Sequence, residues 1–121
     1  MHNICHFEIP ADDVRRAKKF YTELFGWKIE DYPDMEYWMI HTSGEKGEGL
    51  GGGLFKRSDP KQSILNYVDV ADVAASALRV EKLGGKIVVP KSPVPGMGWF
   101  AVCLDTENNP FALWETDKNA K

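Results

Sequence analysis

The sequence repeats itself, and this repeat restricts the folds open to the chain more than any other feature does. Each half reads as a strand, a helix and three further strands. Landmarks of the first half recur in the second at an offset near 60 residues: "ADDV" (11–14) with "VADV" (70–73), "LFGWKI" (24–29) with "LGGKI" (83–87), and "GGGLF" (51–55) with "FALWE" (111–115). Two similar modules in tandem predict an α+β domain with a pseudo-twofold axis and a shared cleft.

Local patterns support this division. "NICHFEI" (3–9) alternates in polarity and predicts a strand, and an apolar stripe from Val14 onward predicts a helix that ends at Gly26. The residues of this helix that are predicted to face the core are Ala17, Phe20, Tyr21, Leu24 and Phe25. In the helix predicted for the second half they are Val73, Ala77 and Val80. We expect one domain over residues 1–121, with module one at about 1–60 and module two at about 61–117.

Composition excludes several classes of function. The net charge is −3 and the basic residues are dispersed, so nucleic-acid binding is not expected. No apolar run is long enough to span a bilayer and no signal-peptide pattern opens the chain, so no membrane association and a cytoplasmic location are expected. Cys5 and Cys103 lie within apolar strand patterns, as thiols buried in a core do.

Three segments together resemble the vicinal oxygen chelate superfamily, also called the glyoxalase/bleomycin resistance/dioxygenase proteins. They are "HFEIPADDVRRAKKFYTELFGWKI", "YVDVADVAASALRVEKLGGKIVVPKSPVPGMGWFAV" and "DTENNPFALWE". The resemblance implies two tandem βαβββ modules whose eight strands curve around a shared cleft. Members of the superfamily include metal-dependent isomerases, thiol transferases, ring-cleaving dioxygenases and proteins that only sequester a drug.

The resemblance also implies where a metal would be held, on the first and last strand of each module. The equivalent positions here are His6, Gly52, Leu65 and Ala112. Only His6 offers a donor, whereas a catalytic metal site needs about three protein ligands. No catalytic metal and no other cofactor is therefore expected.

Two glutamates bear on this expectation. A register shift of one residue would bring Glu115 or Glu48 nearer to a ligand position, but it would also turn neighbouring apolar residues to the wrong face. Glu8 shares a strand face with His6. The pair is open to four interpretations: a weak ion site completed by waters, a catalytic base at Glu8, a carboxylate that fixes the tautomer of His6, or two polar wall residues.

Small and apolar side chains at the former ligand positions leave room for an organic ligand. Tyr67 shares a face with Leu65, and Trp114 shares a face with Ala112. We expect a flat or aromatic ligand with a hydrogen-bonding edge. The predicted ligand-binding residues are His6, Glu8, Gly52, Leu65, Tyr67, Ala112 and Trp114. The Pro/Gly-rich "KSPVPGMGW" (91–99) fits either a lid or a rigid connector.

The function predicted first is therefore metal-free binding of a small organic molecule, with no reaction assigned. The alternatives are a metal-dependent lyase, thiol transferase or dioxygenase, and a metal-free acid–base enzyme that uses Glu8. A homodimer is also predicted, because edge strands need cover. "LGGGLF" (50–55) and "NICHFEI" are the strands expected to pack in it.

Overall fold

The computed structural model describes residues 2–32, 36–43 and 49–121. Within these ranges the chain runs strand, helix and three strands, twice, so the predicted α+β fold of two βαβββ modules with eight strands is confirmed. The elements are β1 (Ile4–Ala11), α1 (Val14–Phe25), β2 (Lys28–Asp31), β3 (Tyr37–His41), β4 (Gly51–Lys56), β5 (Leu65–Asp69), α2 (Val73–Lys82), β6 (Lys86–Val94), β7 (Gly98–Leu104) and β8 (Pro110–Thr116).

Both helices begin at an aspartate that satisfies a backbone donor of the first turn. The Asp13 side chain accepts from the Arg16 N–H at 3.0 Å, and the Asp72 side chain accepts from the Ala75 N–H at 3.1 Å. α1 ends at Gly26, whose φ of 72° lies in the left-handed region that glycine adopts without strain. The bounds of α1 agree with those predicted from the sequence.

Residues 6–64 form one compact unit, in which the strands are ordered β2-β3-β4-β1. β1 runs parallel to β4, and the other two pairings are antiparallel. The apolar side chains on one face of these strands form a core with α1. Its buried members are Ile9, Ala11, Ile29, Ile40 and Leu54, and Val14, Ala17 and Tyr21 of α1 pack against them.

One part of the predicted helix stripe is wrong. Phe20, Leu24 and Phe25 keep 57–58% of their surface exposed instead of entering the core. Tyr21 fills the helix–sheet contact instead, and its ring stacks on Trp27 with a centroid distance of 5.3 Å. The apolar stripe of α1 is therefore wider than the face that this module buries.

The second compact unit contains residues 65–121 together with the start of the chain through Cys5. Its strands are ordered β5-β8-β7-β6, and the start of the chain lies alongside β5, where the Asp69 N–H donates to the Asn3 carbonyl at 2.9 Å. The core consists of Val70, Val73, Ala101, Cys103 and Leu113, with Ala77 and Val80 packed against it. The predicted inward face of α2 is thus confirmed.

The segment 91–99 continues as strand through Val94 and restarts as strand at Gly98, so it forms a hairpin. Its turn is tied to the C-terminal residues, because the Gly96 N–H donates to the Ala120 carbonyl and the Asp117 N–H to the Met97 carbonyl, both at 2.9 Å. This arrangement favours the rigid connector over the lid.

"LGGGLF" falls on β4, which pairs with β1 on one side and with β3 on the other. It is not an edge strand, which removes the reason for placing a dimer contact there. Among the described residues, neither helix is long and apolar enough to cross a membrane.

Candidate functional site

In each module, one face of the strands packs on the helix, and we call the opposite side the distal face. In the first module Glu8 pairs with Gly53 in the parallel β1–β4 ladder, and Tyr37 pairs with Phe55 in the antiparallel β3–β4 ladder. Paired residues point to the same side of a sheet, and so do residues two apart along a strand. His6, Glu8, Gly53, Phe55 and Tyr37 therefore share the distal face.

His6 and Tyr37 are joined on this face. His6 Nε2 lies 2.7 Å from the Tyr37 hydroxyl oxygen, and the two rings are nearly parallel, with an interplanar angle of 15° and centroids 6.4 Å apart. Burial lowers the pKa of His6 below its ordinary value, while the charge of Glu8 acts in the opposite direction. The imidazole is therefore favoured in its neutral form at neutral pH.

Gly53 makes room for this contact. A Cβ built on Gly53 would lie 1.7 Å from the Tyr37 hydroxyl oxygen and 1.9 Å from its Cζ, distances no real Cβ tolerates. Tyr37 thus reaches over β4 only because residue 53 has no side chain. The sequence reasoning missed both residues, because nothing in "EYWMIHT" shows which of its aromatic residues points away from the helix.

The prediction that Gly52 shares the face of His6 is wrong. Gly52 pairs with Phe7, and a Cβ on Gly52 would come within 2.6 Å of the Phe7 ring, which packs toward α1. The predicted position was one residue too early in the repeat. Glu8 pairs with Gly53, and Tyr67 pairs with Ala112. Each residue of the second pair lies 59 positions after its counterpart in the first. Gly53 is the counterpart of Ala112.

In the second module the four predicted residues lie on one distal face. Tyr67 pairs with Ala112 and Asp69 with Trp114 in the β5–β8 ladder, and Leu65 follows by alternation. Tyr67 and Ala112 are buried, whereas Leu65 and Trp114 are partly buried. That the distal faces of the two modules line one cleft stays a prediction.

Trp114 is held in a defined orientation. Its Nε1–H donates to the Thr116 hydroxyl oxygen at 3.1 Å. A Cβ on Gly98 would lie 2.6 Å from Cζ2 of the indole, so the ring occupies the space above that glycine. Each distal face therefore carries an aromatic ring that lies over a glycine of the neighbouring strand.

Glu115 serves the helix side of its module. Its Oε1 accepts from the N–H of Val73, the first residue of α2, at 2.9 Å. A register shift that would bring Glu115 to a ligand position is therefore excluded. Glu48 lies outside the described residues.

The corrected positions do not fit a metal held in the way the superfamily holds one. They are His6, Gly53, Leu65 and Ala112, and only the first has a donor. In the part of the chain that the structure describes, no three His, Cys, Asp or Glu side chains come together as a metal site would require. The residues at these four positions do not supply a catalytic metal site.

A depression of about 490 Å³ lies elsewhere in the first module. Arg57 lines this depression, but all three nitrogens of its guanidinium donate hydrogen bonds within the protein. Nε donates to Asp12 Oδ1 at 3.0 Å, and the other two nitrogens donate to the Pro10 and Gln62 carbonyls. The arginine ties the connector after β4 to the end of β1. The residues that line the depression are Asp12, Arg57, Ser58, Asp59 and Pro60.

Comparisons with known proteins agree with this architecture. A family model described as bleomycin resistance protein-like N-terminal matches residues 3–43. A glyoxylase-like domain-containing protein from Didymella fabae is 34% identical over 119 residues, which cover 91% of each chain. The chain belongs to the glyoxalase/bleomycin resistance/dioxygenase superfamily.

Two further similarities are more distant. An anthracycline biosynthesis protein from Streptomyces peucetius is 27% identical over 124 residues, and the match covers 89% of this chain but only 45% of that protein. A solved structure of a superfamily member from Vibrio splendidus 12B01 superposes with a TM-score of 0.67 at 12% identity, covering 95% of this chain and 99% of that one. At that identity the structural likeness shows the fold alone.

Proposed function

We propose that this chain binds a small, flat organic molecule on a distal face of its strands and that it does so without a catalytic metal. The observation that carries the proposal is the placement of Tyr37 over Gly53 and of Trp114 over Gly98. Rings held in fixed orientations offer contact area at a low cost in conformational entropy, and an aromatic ligand stacks on them favourably.

In the first module a polar anchor accompanies Tyr37. The His6–Tyr37 hydrogen bond and the carboxylate of Glu8 lie on the same distal face. A largely apolar surface with a few oriented polar groups is the usual composition of a small-molecule site. We therefore expect the ligand to carry a hydrogen-bonding group at one edge.

The relatives suggest which compounds to try first. The Streptomyces relative is named for anthracycline biosynthesis, and anthracyclines are planar fused-ring compounds with hydroxyl and carbonyl groups at their edges. The chain spans less than half of that protein, so this similarity guides the choice of probes only. The first panel contains anthracyclines, simple anthraquinones and non-aromatic compounds of similar polarity.

Binding is measured by thermal shift and by quenching of tryptophan fluorescence. Trp114→Ala is expected to weaken a hit tenfold or more, because roughly 100 Å² of lost aromatic contact at about 25 cal/mol/Å² corresponds to about 2.5 kcal/mol as an upper bound. Trp99→Phe is the matched control, since Trp99 packs on the helix side of its module. Glu8→Gln is expected to change which ligands bind.

The proposal is wrong if affinity for the hits is the same in wild type, Trp114→Ala and Glu8→Gln. It is also wrong if one equivalent of zinc, nickel, manganese or ferrous iron binds at His6, or if the protein isomerises the hemithioacetal of methylglyoxal and glutathione.

A second candidate is a metal-free acid–base enzyme, favoured by the 2.7 Å contact between His6 Nε2 and the Tyr37 hydroxyl beside the Glu8 carboxylate. Such a set could move a proton to and from a bound carbon acid. The test is hydrogen–deuterium exchange at carbon in each hit from the panel, followed by NMR. Exchange that is lost in His6→Gln would support the enzyme, and no exchange in any bound hit would leave binding alone.

A further inference from the structure

We propose that Tyr37 takes the place of a metal ion as the group that fixes His6, and that Gly53 is the residue that permits it. The inference deepens the proposed function, on which it rests for its biological meaning, by assigning the polar end of the site. Tyr37 is a positioning residue here, and its hydroxyl is the group that orients the imidazole.

The backbone register brings the three residues together. β4 lies between β1 and β3, and all three strands direct the relevant side chains to the distal face. Tyr37 starts from the far strand, β3, and must cross the whole width of β4 to meet His6 on β1. A side chain at position 53 would stand in this path, because its Cβ alone would lie 1.7 Å from the hydroxyl oxygen and 2.6 Å from Cε1.

The contact occupies one of the two ring nitrogens through which His6 could ligate a metal. A histidine ligates a metal through one ring nitrogen, and the hydrogen bond of the other sets its tautomer. In this protein Nε2 is in contact with the phenol at 2.7 Å, so a metal could reach Nε2 only if Tyr37 moved away. The two rings also lie near-parallel, 15° apart.

The other three positions at which the superfamily holds a metal are consistent with Tyr37 replacing the ion at His6. Gly53, Leu65 and Ala112 provide no donor, so an ion at His6 would lack two of the three ligands of a catalytic site. A metal at Nε2 would also have to displace a hydrogen bond in a partly buried place. The phenol needs no further ligands to hold the imidazole.

The experiment uses uniformly ¹⁵N-labelled protein without ligand, at pH 7.5. Long-range ¹H–¹⁵N correlation spectra report the protonation of each ring nitrogen of His6. In wild type one tautomer of His6 is expected to predominate. In Tyr37→Phe the two nitrogen shifts are expected to move toward each other, because the two tautomers become more equally populated.

Gly53→Ala should produce the same change, because it pushes Tyr37 off His6 without altering either side chain. Tyr21→Phe is the matched control: it removes the same hydroxyl from a ring that packs on the helix side, and the His6 shifts should not move. If Gly53→Ala does not fold, Tyr37→Phe alone decides. Zinc at one equivalent is added to the wild type, and the Nε2 shift of His6 should stay constant.

The inference is overturned if Tyr37→Phe leaves both His6 nitrogen shifts unchanged, or if one equivalent of zinc shifts Nε2 in the wild type. Neither result depends on finding a ligand. If the His6 shifts behave as expected and no aromatic probe binds, the proposed function fails and the role of Tyr37 stands. If probes bind and the His6 shifts do not respond, the proposed function stands and the role assigned to Tyr37 is wrong.

Discussion

Glu115→Ala should destabilise the protein without touching the distal faces. Glu115 accepts a hydrogen bond from the N–H of Val73 at 2.9 Å, and Val73 has no exposed surface. Removing the carboxylate leaves a donor of the first helical turn without its partner in a place that water does not reach. It also removes a negative charge from the N-terminus of α2, where the helix dipole favours one.

The expected loss follows from these two contributions. A buried donor left unsatisfied costs about 1–3 kcal/mol, and the lost charge–dipole interaction about 0.3–1 kcal/mol. We expect the free energy of unfolding to fall by about 2 kcal/mol. Glu115→Gln keeps an oxygen acceptor and loses only the charge, so its loss should be about 1 kcal/mol or less.

The assay is equilibrium unfolding in urea, followed by far-UV circular dichroism. At a slope of about 1–3 kcal/mol per molar urea, the expected loss for Glu115→Ala lowers the midpoint by roughly 1 M. Glu107→Ala removes the same side chain from an exposed turn and should stay within about 0.5 kcal/mol of wild type. If Glu115→Ala unfolds at the midpoint of Glu107→Ala, the reasoning from the Val73 contact is refuted.

Three further predictions concern titration and assembly. Burial raises the pKa of the Cys103 thiol from 9.0 to about 11, so this thiol ionises at a lower pH in the unfolded chain than in the folded protein. The free energy of unfolding should therefore fall between pH 9 and 11. Urea unfolding of Cys103→Ala should show a smaller decline over this range. Burial lowers the pKa of His6, so its NMR titration midpoint should lie below the ordinary value of 6.5. Its contribution to stability is complete above 6.5 and is lost as the pH falls below it, and a midpoint at or above 6.5 would contradict this. The edge strands β2 and β6 still need cover, so the chain should form a homodimer of twice 13.6 kDa by light scattering at micromolar concentration, and the mass of one chain would rule that out.

The pseudo-symmetry of the two modules shows where the halves have diverged. The position 59 residues before Glu115 is Lys56, whose ammonium donates to the Asp12 carbonyl just before α1. In both modules the last strand therefore sends one side chain to the start of its helix. In one module the side chain accepts from a helix N–H, and in the other it donates to a carbonyl.

The sequence alone determined the order of elements and the ends of the helices. Asp13, Asp72 and Gly26 act through contacts with residues at most four positions away, so local chemistry is sufficient to predict them. Periodicity also predicted that Val73 faces the core, and Val73 is buried. The same spacing placed Phe20, Leu24 and Phe25 on the apolar stripe of α1, yet they are exposed, because spacing does not show how much of a helix face the sheet covers.

The tertiary structure decided the site. In the run 51–53 every residue is glycine, so no alternation of polar and apolar side chains shows which one faces away from the helix, and only pairing with β1 distinguishes Gly53 from Gly52. The contact between His6 and Tyr37 joins residues 31 positions apart across an intervening strand. Such a contact depends on strand order and register, which arise when the strands pair and which no local pattern in the chain contains.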